Sequence, residues 1–255
     1  MLVGDDGAVR ILMLNRPQRL NAFTAASYGS LARLLVEADG DARVHVVLLR
    51  GAGRAFSAGV DLDALRERPD AGAELGKTFD ALLDALVSFH KPLLAAVHGP
   101  AVGFGATILL HCDLVLVADD ARLRFPFTLL RTAPEAGSSV LLPSLTGPQR
   151  AAELLFTSRW VGGAQAVEMG LALRCCPPDR LAAEALELAT AVAAQPPAAV
   201  AAAKQLLGAG RADAVRAALA RERNEARHLS QALGAIGSTP RDGPAGLGGA
   251  PQPTA

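Results

Sequence analysis

Glu135 is the residue best suited to acid–base chemistry. It lies in FPFTLLRTAPEAGSSVLLPSL, residues 125–145, where the only other charged residue is Arg131. Burial in apolar surroundings raises the pKa of a carboxylic acid, and such a group is a good general base near neutral pH. The alternative is a surface ion pair between Arg131 and Glu135, which lie four residues apart. This segment alone leaves both interpretations open.

Two glycine-rich segments could supply hydrogen-bond donors to a negatively charged oxygen. In GAGRAFSAGVDL, residues 51–62, a predicted strand ends in small residues, so the N–H groups around Ser57, Ala58 and Gly59 lack strand partners. In HGPAVGFGATILL, residues 98–110, two glycines flank Phe104 before a helix, whose first N–H groups are unpaired. Taken alone, this glycine pair is more typical of a tight turn than of a binding site.

The histidines fit structural roles better than catalytic ones. His98 follows a predicted strand, where a hydrogen-bonded structural histidine is the commoner case. His90 and His111 lie at predicted helix ends, where the helix dipole accounts for them. The sequence has no metal-ligand spacing such as HExxH or paired CxxC, so we predict no metal site.

The elements that position these segments alternate between strands and helices. Compact apolar runs predict strands at residues 9–14, 44–49, 93–97 and 114–117, and helical spacing predicts helices at 27–38, 73–89 and 103–111. This alternation is typical of an α/β core whose strands are buried on both faces. From residue 136 onward we expect helices and no strands. The predicted helices there span residues 138–145, 149–156, 164–169, 181–194, 198–207 and 212–233.

The chain divides into three parts. With 255 residues it can bury one large core without disulfides or metals. We place this core in residues 1–195 and a helical region in residues 196–235. Residues 236–255 are rich in glycine and proline and nearly lack apolar side chains, so we predict a disordered tail.

Charge and cysteine content exclude several classes of protein. The 25 basic and 25 acidic residues balance, so no overall field favours nucleic acid. The first ten residues do not resemble a signal peptide, and no apolar run reaches membrane-spanning length. The three cysteines are an odd count and fit free thiols. We predict a cytoplasmic protein that binds neither nucleic acid nor a membrane.

Taken together and in order, these segments resemble the enoyl-CoA hydratase/isomerase family, also called crotonases. The similarity begins at LNRPQRLNAF and continues through GRAFSAGVDL, KPLLAAVHGPAVGFG and CDLVLVADDARLRFPF to VGGAQAVEMGLALRC. The resemblance implies an α/β fold in which stacked β-β-α turns form a spiral. It also implies that the helical region at the C-terminus mediates assembly into a homotrimer or a dimer of trimers.

The resemblance further implies the substrate and the residues that hold it. The substrate would be a fatty acyl thioester of coenzyme A, which needs no separate cofactor. The N–H groups of Ala58 and Phe104 would form an oxyanion hole. The path of coenzyme A would be lined by Ala58, Gly59, Val60, Asp61 and Leu62, with Phe104 beside the acyl chain.

The acids decide which reaction of the family is expected. Hydratases of the family use two glutamates, and the matching positions here hold Thr107 and Phe127. The segment around Glu135 instead resembles the SPEG segment of the peroxisomal-type 3,2-enoyl-CoA isomerases, which use one glutamate. We therefore predict isomerisation of 3-enoyl-CoA to 2-enoyl-CoA through a dienolate, with Glu135 as the base.

Two alternatives remain open from the sequence. The protein could be a hydratase, or catalyse another crotonase reaction, with a different acid. It could also be a homologue that binds acyl-CoA without turnover. Arg131 bears on the choice, because contact with Glu135 would keep that carboxylate ionised and lower its basicity.

Overall fold

The computed structural model describes residues 1–63 and 71–236. The strands are β1 (Leu2–Asp6), β2 (Val9–Leu14), β3 (Val46–Gly51), β4 (Leu93–Val97), β5 (Pro100–Val102), β6 (Leu114–Ala118), β7 (Arg122–Arg124), β8 (Val161–Gly162) and β9 (Arg174–Cys176). The helices are α1 (Ala25–Gly40), α2 (Ala71–Ser88), α3 (Phe104–Thr107), α4 (Ser138–Thr146), α5 (Pro148–Thr157), α6 (Gly163–Glu168), α7 (Leu181–Ala193), α8 (Pro197–Leu207) and α9 (Arg211–Ile236). Short 3₁₀ helices lie at Pro17–Arg19 and Ile108–His111.

Two sheets organise the chain. The larger has the strand order β1-β2-β3-β4-β6-β9 and is parallel except for the β1–β2 pair. The smaller has the order β5-β7-β8, with β5 and β7 parallel. Because β5 follows β4 after two residues, the chain passes directly from the larger sheet to the smaller at the start of the glycine-rich segment of residues 98–110.

The central strands are buried on both faces, as predicted. Successive residues of a strand point to opposite faces, and the side chains of β3 separate accordingly. Val47 and Leu49 pack in the large core with α1 and α2, whereas Val46 and Leu48 pack against α7. This two-sided burial explains why these strands read as continuous apolar runs.

Local signals explain where the predicted helices begin. At the start of α1, the Thr24 hydroxyl oxygen accepts from the Ser27 N–H at 3.3 Å, and the Ser27 hydroxyl oxygen accepts from the Thr24 N–H at 2.7 Å. This reciprocal cap satisfies N–H groups that the helix itself cannot pair. The predicted helices are present with boundaries that differ by a few residues, except that the one predicted at 103–111 consists of a single α-helical turn followed by the 3₁₀ helix Ile108–His111. None of the helices in the described part of the chain combines the length and apolar character needed to cross a bilayer.

The expectation that strands end before residue 136 is wrong. Strands β8 and β9 lie beyond it, and β1, β5 and β7 were also not predicted. These strands have two to five residues, and polar side chains interrupt β1, β7 and β9. They have too little apolar pattern to be recognised, since hydrogen bonds to a neighbouring strand define them. The predicted tail lies outside the described residues from position 237 onward, whereas Ile236 ends α9.

Candidate active site

The loop after β2 is built around the buried side chain of Asn21. Its amide nitrogen donates to the carbonyl oxygens of Ala52 and Ala55, both at 2.8 Å. Both Leu20 and Asn21 adopt left-handed backbone conformations, with φ of 49° and 56°. These contacts hold the loop against the segment that follows β3, and they bring the Leu20 carbonyl to Ala58.

Ala58 is already hydrogen bonded. Its N–H donates to the Leu20 carbonyl oxygen at 2.9 Å. A backbone amide carries one hydrogen, so this N–H is occupied and cannot also serve an incoming thioester at full strength. The structure contradicts the prediction that Ala58 supplies an oxyanion donor.

Val60, two residues further on, has a free N–H. Phe23 pairs with this segment in parallel: its N–H donates to Gly59 O at 2.7 Å, and its carbonyl accepts from Asp61 N at 2.8 Å. In such a bridge Val60, which lies between Gly59 and Asp61, directs its own N–H and C=O away from Phe23. Within residues 1–63 and 71–236, the Val60 N–H makes no hydrogen bond.

Phe104, which the family resemblance implied as a donor, also has an N–H without a partner in the described part of the chain. It is the first residue of α3. The preceding carbonyl, that of Gly103, accepts from Ala106 and Thr107, both at 2.9 Å. Such an unpaired amide at a helix start suits an oxygen that gains negative charge.

The two glycine-rich segments lie in direct contact. The Ser57 N–H donates to Pro100 O at 3.1 Å, and the Val102 N–H donates to Ser57 O at 2.9 Å. Gly59 has φ of 86°, and a Cβ at this position would lie 2.5 Å from Val102 O and 3.4 Å from Phe104 N. Only glycine allows the backbones to approach this closely.

Glu135 precedes α4 and lines a cavity of about 160 Å³. The cavity wall also includes Phe79, Leu83, Leu219, Glu222 and Arg223. Burial and, to a smaller extent, the nearby Glu222 carboxylate raise the pKa of Glu135 to about 7. Loss of solvent is the larger of the two causes. It raises the pKa because it disfavours the charged form of the acid.

Arg131 does not neutralise Glu135. Its side chain is exposed, its φ is 55°, and no ion pair joins it to Glu135 in the described part of the chain. The direction of the Glu135 pKa agrees, since an adjacent guanidinium would lower it. The interpretation of a surface ion pair between these two residues is therefore wrong.

An aromatic cluster connects the donor segment to the acid. Tyr28 stacks on Phe23 with ring centroids 5.0 Å apart, and Phe104 meets both rings edge-on. Phe79 contacts Phe104 at 5.2 Å and also lines the Glu135 cavity. Sequence reasoning missed Tyr28 and Phe79, although the scarcity of aromatic residues was a usable signal.

Comparisons with known proteins agree on one family. The sequence model described as Enoyl-CoA hydratase/isomerase matches residues 4–234. The chain belongs to the enoyl-CoA hydratase/isomerase family. It is 35 % identical over 223 residues to 2,3-dehydroadipyl-CoA hydratase of Escherichia coli, covering 88 % of this chain and 87 % of that protein. It is 36 % identical over 186 residues to 1,2-epoxyphenylacetyl-CoA isomerase of the same organism, covering 71 % of each.

The fold is that of the crotonases. The crystal structure of an enoyl-CoA hydratase/isomerase from Pseudoalteromonas atlantica superimposes with a TM-score of 0.84 at 33 % identity, covering 95 % of this chain and 99 % of that one. The family acts on acyl-CoA thioesters, which confirms the predicted substrate class. The relatives include a hydratase and an isomerase, so their names alone do not select the reaction.

The two positions that carry glutamates in the hydratases hold Thr107 and Phe127 in this chain, and neither side chain supplies an acid. Thr107 is fully buried, and its hydroxyl oxygen lies 3.5 Å from Phe104 O. Phe127 is buried in the large core. Threonine is no base at neutral pH, and phenylalanine has no polar atom. Both observations disfavour the two-glutamate arrangement.

The residues predicted to line the path of coenzyme A, positions 58–62, form a short, partly accessible edge. Ala58 and Val60 are half-buried and Gly59 is buried. The Asp61 carboxylate pairs with Arg16 at 2.9 Å, so it braces the loop after β2. Leu62 is 38 % exposed and lies at the outer end of this edge.

The histidines and acids outside the site have structural partners. His98 Nε2 bonds Gly53 O at 2.7 Å, and His90 Nδ1 lies 2.8 Å from Asp39. The Asp113 carboxylate accepts from Leu93 N at 2.8 Å. Across residues 1–63 and 71–236, histidine, cysteine and acidic side chains do not form a group of three able to hold a metal ion.

Proposed function

We propose that this protein isomerises 3-enoyl-CoA to 2-enoyl-CoA, with Glu135 transferring one proton from C2 to C4. The observation that carries the proposal is the environment of Glu135, which places this acid in a cavity and raises its pKa. Glu135 lines the cavity next to the aromatic cluster, and its pKa is raised to about 7. A base with this pKa is about half ionised near neutral pH and remains strong enough to take a proton from carbon when the product anion is stabilised.

The stabilising donors in this proposal are the N–H groups of Val60 and Phe104. Val60 takes the place first predicted for Ala58, because the Ala58 N–H is bonded to Leu20. Both amides would point at the thioester oxygen, which becomes an enolate oxygen when C2 loses its proton. Preorganised donors of this kind each lower the barrier by about 3 kcal/mol.

The reaction balances with a single acid. The Glu135 carboxylate removes a proton from C2, and the electrons of that bond spread over the thioester oxygen and the C3–C4 double bond. The protonated acid then returns the proton at C4, which leaves a double bond between C2 and C3. The carboxylate is regenerated, so no water or cofactor enters the reaction.

Hydration has weaker support than isomerisation. Addition of water would require a second group to hold and activate it, and Thr107 and Phe127 supply none. Glu222 is the other acid of the cavity, and each of its carboxylate oxygens already accepts a backbone N–H at 2.8 Å. The site therefore resembles a proton shuttle more than a water-activating pair.

The test is to incubate the protein separately with 3-enoyl-CoA and 2-enoyl-CoA and to follow migration of the double bond and addition of water. We expect migration, and Glu135→Gln should lower kcat on the order of 1000-fold. Glu225→Gln, an exposed change on α9, is the matched control and should keep wild-type rates. Hydration that survives Glu135→Gln would contradict the mechanism, and coenzyme A binding without turnover would contradict an enzymatic role.

A further inference from the structure

We infer that Glu222 of α9 is a positioning residue for Glu135: its carboxylate holds the backbone turn that carries Glu135 and places a second negative charge beside it. The inference rests on the proposed function, since it concerns the base assigned there. Glu222 lies 87 positions after Glu135, and sequence analysis gave it no role.

Glu222 caps the start of α4 from a distant helix. Its side chain is buried, its Oε2 accepts from Gly137 N, and its Oε1 accepts from Ser139 N, both at 2.8 Å. These N–H groups belong to the first turn of α4, where a helix has no internal acceptors and favours negative charge. Both carboxylate oxygens are therefore committed to the turn that begins two residues after Glu135.

The same turn is held from its other side by His111. The His111 Nε2 lies 2.8 Å from the carbonyl oxygen of Ala136. Burial lowers the pKa of His111 to about 4, so the neutral ring donates its Nε2 hydrogen to this carbonyl. Ala136 and Gly137 both have left-handed φ, of 59° and 73°. Glycine adopts this conformation without strain, whereas for Ala136 it is costly and persists only where the surroundings fix it. The hydrogen bonds of Glu222 to Gly137 and of His111 to Ala136 provide this constraint.

Helix α9 and the turn are packed too closely for their positions to be independent. A Cβ at Gly137 would lie 2.9 Å from the Val215 side chain. Glu135 and Glu222 also line the same cavity. The charge of Glu222 therefore acts on a carboxyl group that is shielded from water, where electrostatic effects are strong.

The other charged or titratable groups near Glu135 do not cancel this charge. Arg223 lines the cavity but pairs with Asp80 at 2.7 Å. Tyr28 on α1 is a neutral phenol, because burial and then Glu135 raise its pKa above the ordinary value. Arg131 is exposed, and His111 is neutral.

The inference predicts a shift of the pH profile. Isomerisation needs the ionised form of Glu135, so kcat/KM rises with pH through the pKa of this group. A negative neighbour opposes ionisation. Removing that charge in Glu222→Gln should move the acidic limb to lower pH on the order of one unit. Glu225→Gln removes the same charge from an exposed position of α9 and should leave the limb in place. An acidic limb that coincides in Glu222→Gln, Glu225→Gln and wild type would overturn the inference.

A second variant separates the charge of Glu222 from its hydrogen bonds to the start of α4. Glu222→Asp keeps the negative charge but shortens the side chain, so its hydrogen bonds to Gly137 and Ser139 should weaken. We expect a lower kcat with an acidic limb close to that of wild type. Wild-type kcat in Glu222→Asp would contradict the claim that these hydrogen bonds position Glu135.

An NMR titration of the side-chain carboxyl carbon of Glu135 tests the inference without relying on activity. The signal is assigned by its loss in Glu135→Gln. We expect a midpoint near pH 7 in the wild type, and a lower one in folded Glu222→Gln. If Glu222→Gln does not fold, a wild-type midpoint at the ordinary glutamate value overturns the inference. Wild-type protein with the shifted midpoint but no isomerisation would instead contradict the proposed function alone.

Discussion

The donor side and the acid side of the site are built by different means. On the donor side, two glycine-rich turns lie against each other, and the backbone N–H groups of Val60 and Phe104 make no hydrogen bond within residues 1–63 and 71–236. The bridge to Phe23 directs the Val60 N–H away, and Phe104 begins α3, where N–H groups have no partner inside the helix. On the acid side, a side chain from α9 crosses to the turn after Glu135 and caps α4.

This difference determines how each side responds to substitution. Apart from proline, no substitution removes a backbone N–H, so the donor side is vulnerable mainly through close backbone contacts. The acid side depends on burial and on neighbouring charge, and both change with single side chains. The donor side should therefore fail through steric effects, and the acid side should shift its pH dependence.

The largest effect on the donor side should come from Gly59→Ala. The added Cβ would lie 2.5 Å from Val102 O, and φ at this position is 86°. Separation of the two glycine-rich segments should lower kcat/KM on the order of 100-fold or more, as loss of an oxyanion donor does. Gly4→Ala is the control, because a Cβ there meets no atom within 4 Å. Steady-state kinetics provide the measurement, and equal rates for both variants would contradict the close-contact account.

An intermediate effect on stability should come from Glu135→Gln on the acid side. The folded-state pKa of Glu135, about 7, lies above its ordinary value of 4.5, so the folded state binds this proton more tightly than the unfolded state. Ionisation of Glu135 therefore reduces stability as pH rises from about 4.5 to 7. The glutamine variant lacks this loss and should be more stable than wild type above pH 7, by about 2 kcal/mol, because one pKa unit corresponds to about 1.4 kcal/mol and the carboxyl group of Glu135 is largely buried.

Urea unfolding of the two proteins at pH 4 and pH 8 would measure this difference. The free energies of unfolding should differ more at pH 8 than at pH 4. A constant difference across that range would show that Glu135 ionises alike in the folded and unfolded chains. The folded chain would then not raise the pKa of this acid.

The smallest effect should come from Arg131→Gln. This residue is exposed and makes no ion pair with Glu135 in the part of the chain that the structure describes. Loss of its charge should change kcat/KM by less than about twofold, as for other surface substitutions. A shift of the acidic limb to higher pH in this variant would show that Arg131 favours the ionised base, and would revise the contrast with Glu222.

The sequence by itself determined the local features of this protein. Strand and helix periodicity located the central strands and each predicted helix, since both patterns depend on residues close in the chain. The glycine pair at positions 103 and 105 indicated a tight turn for the same reason, and Gly103 has a φ of 54°. The apolar segment around Glu135 made this residue a candidate base, and the resemblance to the single-glutamate isomerases favoured that role over a surface ion pair with Arg131.

The tertiary structure alone decided which groups are free and which acids meet. Ala58 and Val60 are similar in sequence context, and only the pairing with Leu20 and Phe23 shows that the Val60 N–H is available. The capping of α4 by Glu222 joins residues more than 80 positions apart. Hydrogen-bond partners of this kind are selected when the chain packs, and no local pattern specifies them. The pKa of Glu135 depends on the same packing, because both the loss of solvent and the nearby charge exist only in the folded chain.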